Sequence, residues 1–542
     1  MYEPILRNSA LKRSSVNGFS GVNETENAKD NEFVYTENIV GAFPAAAVRP
    51  HIKKYDTVAA DICRVVALEE NGDSYLFTGI AEDEQGVRFF YKNEVQPLDG
   101  SYVYNLAAES VCRMGGKILI FPDKVCFDEN APEKGVYDMT RSVSITDAEF
   151  YSEESDGVIT NYISGGDFSV FRRGESVVIR GCAAEKNNVV RADKAAGSDI
   201  VSAIVESIED DRMYLLCYTA SGEDAAFDEV TSSCTVGADI PDMNRVCCQN
   251  NRLWGTSEDG TMVYASKLGD PLDFNSFAGI STDSWWSIVA SEGEFTGIYP
   301  YQNHVYAFKR DCIHEIYGDK PSNFKIPYSV KCGTVDGDSI TELGGVMYFA
   351  AADGVYAYNG GIPTKISQKI MVQPESAKAT AWGERVFMSF DGVMYVYDTE
   401  RSGWYRIGDR ANEQCYTDGN GLFFVADGVL ERWDTGREMV RWCVQTKEFF
   451  REDSEKNGCV NIWLKLALSE GACVAVYTSA DGGGFKRWGV VRGDSGTRRV
   501  PVRFRRCDTF SIRLEGMGDA KLYGIEFENY SGGYDVPKKS AM

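Results

Sequence analysis

Apolar and polar positions alternate in short runs along most of this chain, and the runs come in pairs joined by tight polar turns. The clearest pair lies within Asn250–Phe277. An apolar run through Trp254 meets Asp259-Gly260, returns in alternation through Tyr264, and leaves by Gly269-Asp270-Pro271. A two-residue Asp-Gly between alternating runs predicts a β-hairpin, because that turn needs residues that tolerate positive φ. Weaker copies lie at Ser74–Tyr91 (turn near Gln85-Gly86), Ile118–Asp128, Val305–Gly318, Val346–Gly360, Val386–Asp398 and Leu422–Asp434. The tryptophan of the clearest copy, Trp254, has Tyr306, Met347, Phe387 and Phe423 as counterparts, which predicts a core position.

The turn aspartates Asp259, Asp311, Asp353, Asp391 and Asp427 are separated by 52, 42, 38 and 36 residues. A period near forty with short strands predicts an all-β chain whose main body is a β-propeller of about six to eight blades. Closure of such a ring would protect the sheet edges.

Two stretches break the period. Residues 129–240 contain FRRGESVVIRGC and SIEDDRMYLLCY, strand pairs that predict a small β-barrel or sandwich inserted between blades. Residues 446–530 hold six alternating strands with Gly and Asp turns, predicting a jelly-roll-like sandwich. Residues 1–50 read as an extended arm anchored at Phe19, Phe33, Tyr35 and Phe43, and able to lie on a neighbouring subunit. The propeller then occupies 51–128 and 241–445, and 531–542 is expected to be a flexible tail.

Composition adds constraints. The 542 residues carry a net charge of −25, which argues against a grip on nucleic acid, since neutralising phosphates takes Lys and Arg. The same charge serves solubility first, and it also suits a wall that DNA slides past. Fifteen Cys without CxxC pairs predict reduced thiols. No run of eighteen apolar residues predicts a membrane span, and the first residues lack the apolar core of a secretory signal.

Candidate chemistry is sparse. Asp481 in TSADGGGFKRW resembles an Asp-box turn with Trp488 two places late, and such boxes are turn devices. Asp336-Gly337-Asp338 with Glu342 lacks the spacing of a calcium loop. His304 and His314 flank one hairpin and are read as two imidazoles without a nearby Cys, a poor metal site, favouring surface or sheet positions. Arg498, Arg499, Arg503, Arg505 and Arg506 form a basic strand; alternation puts Arg499, Arg503 and Arg505 on its polar face, ordinarily a solvated sheet face and alternatively a docking strip for an acidic neighbour. Trp285-Trp286 places one indole on each side of a strand. No phosphate-cradling glycine loop occurs. The reading is therefore of a chain that is not an enzyme, with no catalytic, cofactor-binding or metal residue nominated and no cofactor.

Several stretches resemble structural proteins of tailed bacteriophages and prophages: FSGVN with DNEFVYTENI and FPAAAVRP, GGKILIFPDK, FRRGESVVIRGC, the whole of Asn250–Phe277, STDSWW, and RRCDTFSIRLEG with AKLYGIEF. The layout is similar to that of the β-propeller nozzle proteins of short-tailed phages. The resemblance implies a virion tail component assembled in the host cytoplasm, one of six subunits around a DNA channel. It implies portal or adaptor proteins and fibres as partners, with genomic DNA passing without specific binding. A tail-tip receptor-binding or carbohydrate-active propeller is the alternative that the same fold allows.

Overall fold

The computed structural model describes residues 12–55, 59–68, 75–81, 86–97, 105–190, 195–197, 199–327, 329–433, 439–450, 457–493 and 495–529. The expected tail at 531–542, Gln85 of the first predicted turn, and the side chains of Arg505 and Arg506 lie outside the described residues. The described chain is all-β, with helix confined to single 3-10 turns. None of its helices is long and apolar enough to cross a membrane. It divides into two compact units, 57–337 and 1–56 with 338–542.

In the unit 57–337, four antiparallel sheets of four strands run in sequence order. They begin at Ala59–Leu68, Ser110–Met114, Met243–Gln249 and Phe295–Tyr301. Adjacent sheets stack face to face through apolar side chains. Leu119, Phe121 and Cys126 meet Met243, Leu253 and Tyr264, and Trp254 with Val263 meets Phe295 and Val305. Between the second and third sheets the chain builds a closed six-stranded barrel from Arg141–Ser155 to Val230–Ala238, filled by Phe150, Ile163, Ile179, Leu215 and Val236. The interruption read from the sequence is thus a barrel.

The other unit contains three further sheets of the same kind, opening at Thr341–Leu343, Ala377–Trp382 and Gln414–Thr417. The last of these takes its fourth strand from the opposite end of the chain. Ile52–Tyr55 pairs with Val429–Trp433, Ile52 opposite Trp433. Residues 51–55 therefore do not belong to the first sheet, where the sequence reading put them.

The hairpin template explains this regularity. Trp254, Tyr306, Met347, Phe387 and Phe423 are all buried, as a shared core position requires. Asp259 bonds its own turn, its Oδ1 accepting from Thr261 N at 3.0 Å and from Ser257 Oγ at 2.6 Å, a local device of the kind Asp favours. Asp391 instead accepts from Ser376 N at 3.0 Å, tying its turn to the start of the neighbouring strand Ala377–Trp382.

The same unit holds two six-stranded sheets packed as a sandwich, and here the structure departs from the expected arm. Lys12–Asn17 pairs with Ala520–Asn529, Phe33–Glu37 with Arg441–Thr446, and Ala45–Val48 with Ala520–Asn529. Residues 12–48 are strands of their own chain's sandwich, not a free arm. Phe19 and Phe33 stack at 4.6 Å inside the core with Leu464, Val476, Ile512 and Phe527. Each such side chain contributes on the order of 1.5–3 kcal/mol on full burial. Of the expected anchors, Tyr35 is half-buried on the outer face of its sheet and Phe43 stays outside, 54% exposed beneath Arg401. Gly21, at φ 105°, lets the backbone reach the strand at Trp404; a Cβ there would sit 2.4 Å from the Trp404 carbonyl.

Candidate functional site

None of the sequence candidates gathers into a reactive cluster. Asp481 Oδ1 accepts from Asp508 N at 2.6 Å and Thr509 N at 3.0 Å, clamping a hairpin to its neighbouring strand. Trp488 donates Nε1 to Thr478 Oγ1 at 2.8 Å. Asp338 pairs with Lys378 at 2.9 Å. His304 bonds Glu315 at 2.8 Å and His314 bonds Ser291 at 2.8 Å; contrary to expectation a Cys does lie beside the second, Cys312 Sγ being 3.4 Å from His314 Nε2. The register sets His314 opposite Ala307, so the two imidazoles occupy different positions of one sheet. Among the described residues no group of three His, Cys, Asp or Glu is placed to hold a metal. The basic strand keeps its alternation, with Arg499 and Arg503 exposed beside buried Val500 and Val502. Arg499 is engaged by Asn461, which also bonds Glu528.

The structure instead assembles a cleft from the loop that leaves the Asn250 hairpin. Arg252, 2% exposed, donates to the carbonyls of Ser266 at 2.6 Å, Asp283 at 2.5 Å and Ser281 at 2.9 Å. A buried guanidinium whose hydrogen bonds go to carbonyls, and which also lies over the Phe324 ring at 5.6 Å, here acts as a staple. It folds residues 266–284 back over the sheet, where their own polar backbone would otherwise lack partners.

Two buried aspartates finish the loop. Asp273 accepts from Ser176 N at 3.2 Å and Ser176 Oγ at 3.1 Å, which ties the loop to the barrel. Asp283 accepts from Ile280 N at 2.9 Å and from Ser276 Oγ. Burial raises both carboxyls above the ordinary Asp value; the Lys267 charge works against it at Asp273, and loop N–H groups do so at Asp283.

Trp285 and Trp286 follow at once and do lie on opposite sides of their strand, as the alternation predicts. Trp285 packs between Trp254 at 5.9 Å and Phe324 at 5.5 Å. Trp286 packs with the core on the other side. Both indoles stay half-buried and line a cleft of about 590 Å³. Asp283 and Ser281 line it from the loop, Thr219 and Ser221 from the barrel, and Lys320 and Ser322 from a single-turn helix. Aromatic faces ringed by hydroxyls, one cation and one acid of raised pKa make a site for a polar ligand with flat apolar faces. The sequence signal was STDSWW. What it lacked was the far wall, which the barrel supplies.

No family model matches this chain, and no curated protein matches it. Solved structures it is similar to include the exo-β-1,3-galactanase from Phanerochaete chrysosporium with galactose. That match has 10% identity and a TM-score of 0.21, over 51% of this chain and 92% of that one. Hsv2 from Kluyvelomyces marxianus matches at 11% identity and a TM-score of 0.24, over 45% of this chain and 68% of that one. The AfRom2 CNH domain matches at 8% and 0.32, over 71% and 100%. The expectation that this chain is not an enzyme is not upheld, since a glycoside hydrolase stands among these likenesses; they assign this chain no activity.

Proposed function

We propose that this chain is a structural component of a bacteriophage tail, a nozzle or tube segment that forms an oligomeric ring around passing DNA. In this reading the seven sheets are blades of one propeller, closed by Ile52–Tyr55, and the sandwich is a jelly-roll-like cap on the chain's joined ends. The observation that carries it is the order of parts: a repeat of four-stranded sheets interrupted once by a barrel, whose last sheet takes its fourth strand, Ile52–Tyr55, from the other end of the chain. That order is the layout the phage-like stretches of the sequence point to. The net charge of −25 fits a conduit that repels phosphate and keeps DNA exit fast. Portal or adaptor proteins and fibres are its partners in the tail. Immunogold labelling of purified virions tests it: label at the tail below the head supports the reading, and unlabelled virions in cells that make the protein overturn it.

The Trp285–Asp283 cleft favours a second reading, a receptor-binding or carbohydrate-active part of the tail tip. A sugar ring presents the flat apolar face and hydroxyl rim that this cleft matches. Binding to surface glycans of the host that Trp285→Ala abolishes supports it, and an intact Trp286 environment by near-UV circular dichroism rules out unfolding as the cause.

A further inference from the structure

The outer face of one sandwich sheet carries a basic groove that the function above does not use. Strand pairing aligns three rows across five strands. The first row is Tyr35, Gln445, Arg513, Tyr477 and Arg487. The second is Glu37, Cys443, Glu515, Ala475 and Val490, and the third is Arg441, Met517, Cys473 and Arg492. All of these but Gln445 line a groove of about 540 Å³. Four guanidiniums face two carboxylates there. Arg513 is held by Gln445 at 2.8 Å and pairs with Glu515 at 3.7 Å, while Arg441, Arg487 and Arg492 are exposed and have no ion-pair partner among the described residues. In a chain of net charge −25, a concentration of free positive charge selects an acidic occupant.

The chain carries a matching element. The barrel hairpin Arg141–Ser155/Val158–Ser164 turns at Asp156-Gly157, with Ser155 opposite Val158. Its tip exposes Glu153, Glu154 and Asp156, none with a cation partner among the described residues, and beside them Val158, 65% exposed. The groove answers with three free arginines around Met517, itself 41% exposed. We propose that the groove receives the acidic barrel hairpin of a second copy of this chain, a head-to-tail contact of the kind that closes rings. The inference rests on the ring-forming part of the reading above and names the surface that would make the ring. Exposed ion pairs are individually weak and screened by salt, so the contact is salt-sensitive and depends on several pairs at once.

The test measures self-association of the full chain by light scattering across salt concentrations. Glu153→Lys with Glu154→Lys, and separately Arg487→Glu with Arg492→Glu, are each expected to weaken association at least ~10-fold. The chain carrying all four changes is expected to recover it, because the charges are exchanged and not lost. Melting curves separate contact loss from unfolding. If a charge reversal unfolds the sandwich, Arg487→Gln with Arg492→Gln takes its place, with the same weakening expected. Variants that associate like the parent overturn the inference, as does a parent chain that stays monomeric at low salt. So does inorganic polyphosphate binding that is lost in the arginine variants while self-association is unchanged, since the occupant is then a phosphate polymer. Virion labelling is untouched by these outcomes, so the failure of this contact and the failure of the tail assignment are told apart.

Discussion

The barrel and the sandwich are both all-β bodies of short antiparallel strands, yet they are assembled by opposite means. The barrel closes from consecutive strands between Arg141 and Ala238, and its apolar interior is supplied from within that span. The sandwich core brings Val16, Phe19 and Phe33 together with Ile462, Ile512 and Phe527. Its edge pairing of Arg13 with Glu528 spans nearly the whole chain. Closing so long a loop costs little more equilibrium entropy than closing a short one, but the contact waits on everything between. A contiguous module is expected to be self-sufficient. One joined from two termini is expected to make the integrity of the chain a condition of its own stability.

The largest effect that breaks or upholds this contrast comes from fragments. Residues 139–240 alone are expected to fold and melt cooperatively, whereas 441–529 alone is expected to lack the near-ultraviolet dichroism of a packed core. Adding a peptide of residues 12–48 is expected to restore that signal. A folded 441–529 fragment would end the contrast.

Single side chains come next. Phe33→Ala and Phe150→Ala are each expected to cost ~3–5 kcal/mol, the usual range for emptying a phenylalanine site in a packed core. The first should loosen hydrogen-exchange protection at both chain ends together, and the second only within 141–238. Spread of the Phe150→Ala effect to the termini would show the barrel to be less independent than its topology indicates.

Acidification separates the two units by sign. Burial alone would raise Glu32, but bonds from Lys29 N–H, Asn23 and Lys369 outweigh it and hold the carboxyl below 4.5. Its contribution to the sandwich is complete above that value and is lost as pH falls through the lower native value. Asp273 behaves oppositely: burial raises it above 3.8, so its contribution is present at low pH and is lost as pH rises through the raised native value. Lowering the pH toward 4.5 and below should therefore increase exchange at residues 30–48 and decrease it at 266–284. Glu32→Gln should flatten the first trend.

The smallest effect concerns a turn. Asp481→Ala removes two bonds to backbone N–H groups and is expected to lower sandwich stability by about 1–2 kcal/mol without altering the barrel. A larger loss, read from urea midpoints, would mean that the hairpin clamp holds more of the sheet than these two bonds.

Much of this architecture was already written in local pattern. Alternation with Asp turns identified the repeated hairpins, the burial of Trp254 and its counterparts, the interruption that became the barrel, and the opposed indoles of Trp285 and Trp286. These features depend on neighbours within a few residues, where turn chemistry and strand periodicity act directly. Three features were decided only by the folded chain. Residues 12–48 read as an arm because their strands are short and their partners lie hundreds of residues away. The role of Arg252 is set by the loop it staples, which with the barrel wall opposite makes a cleft of its surroundings. The basic groove draws Arg441, Arg487, Arg492 and Arg513 from three strands, so no stretch of sequence shows it. Periodicity reports which side of a strand faces the core. Which strands lie side by side is set by the net free energy of burying those faces together, and that sum exists only once the whole chain has folded.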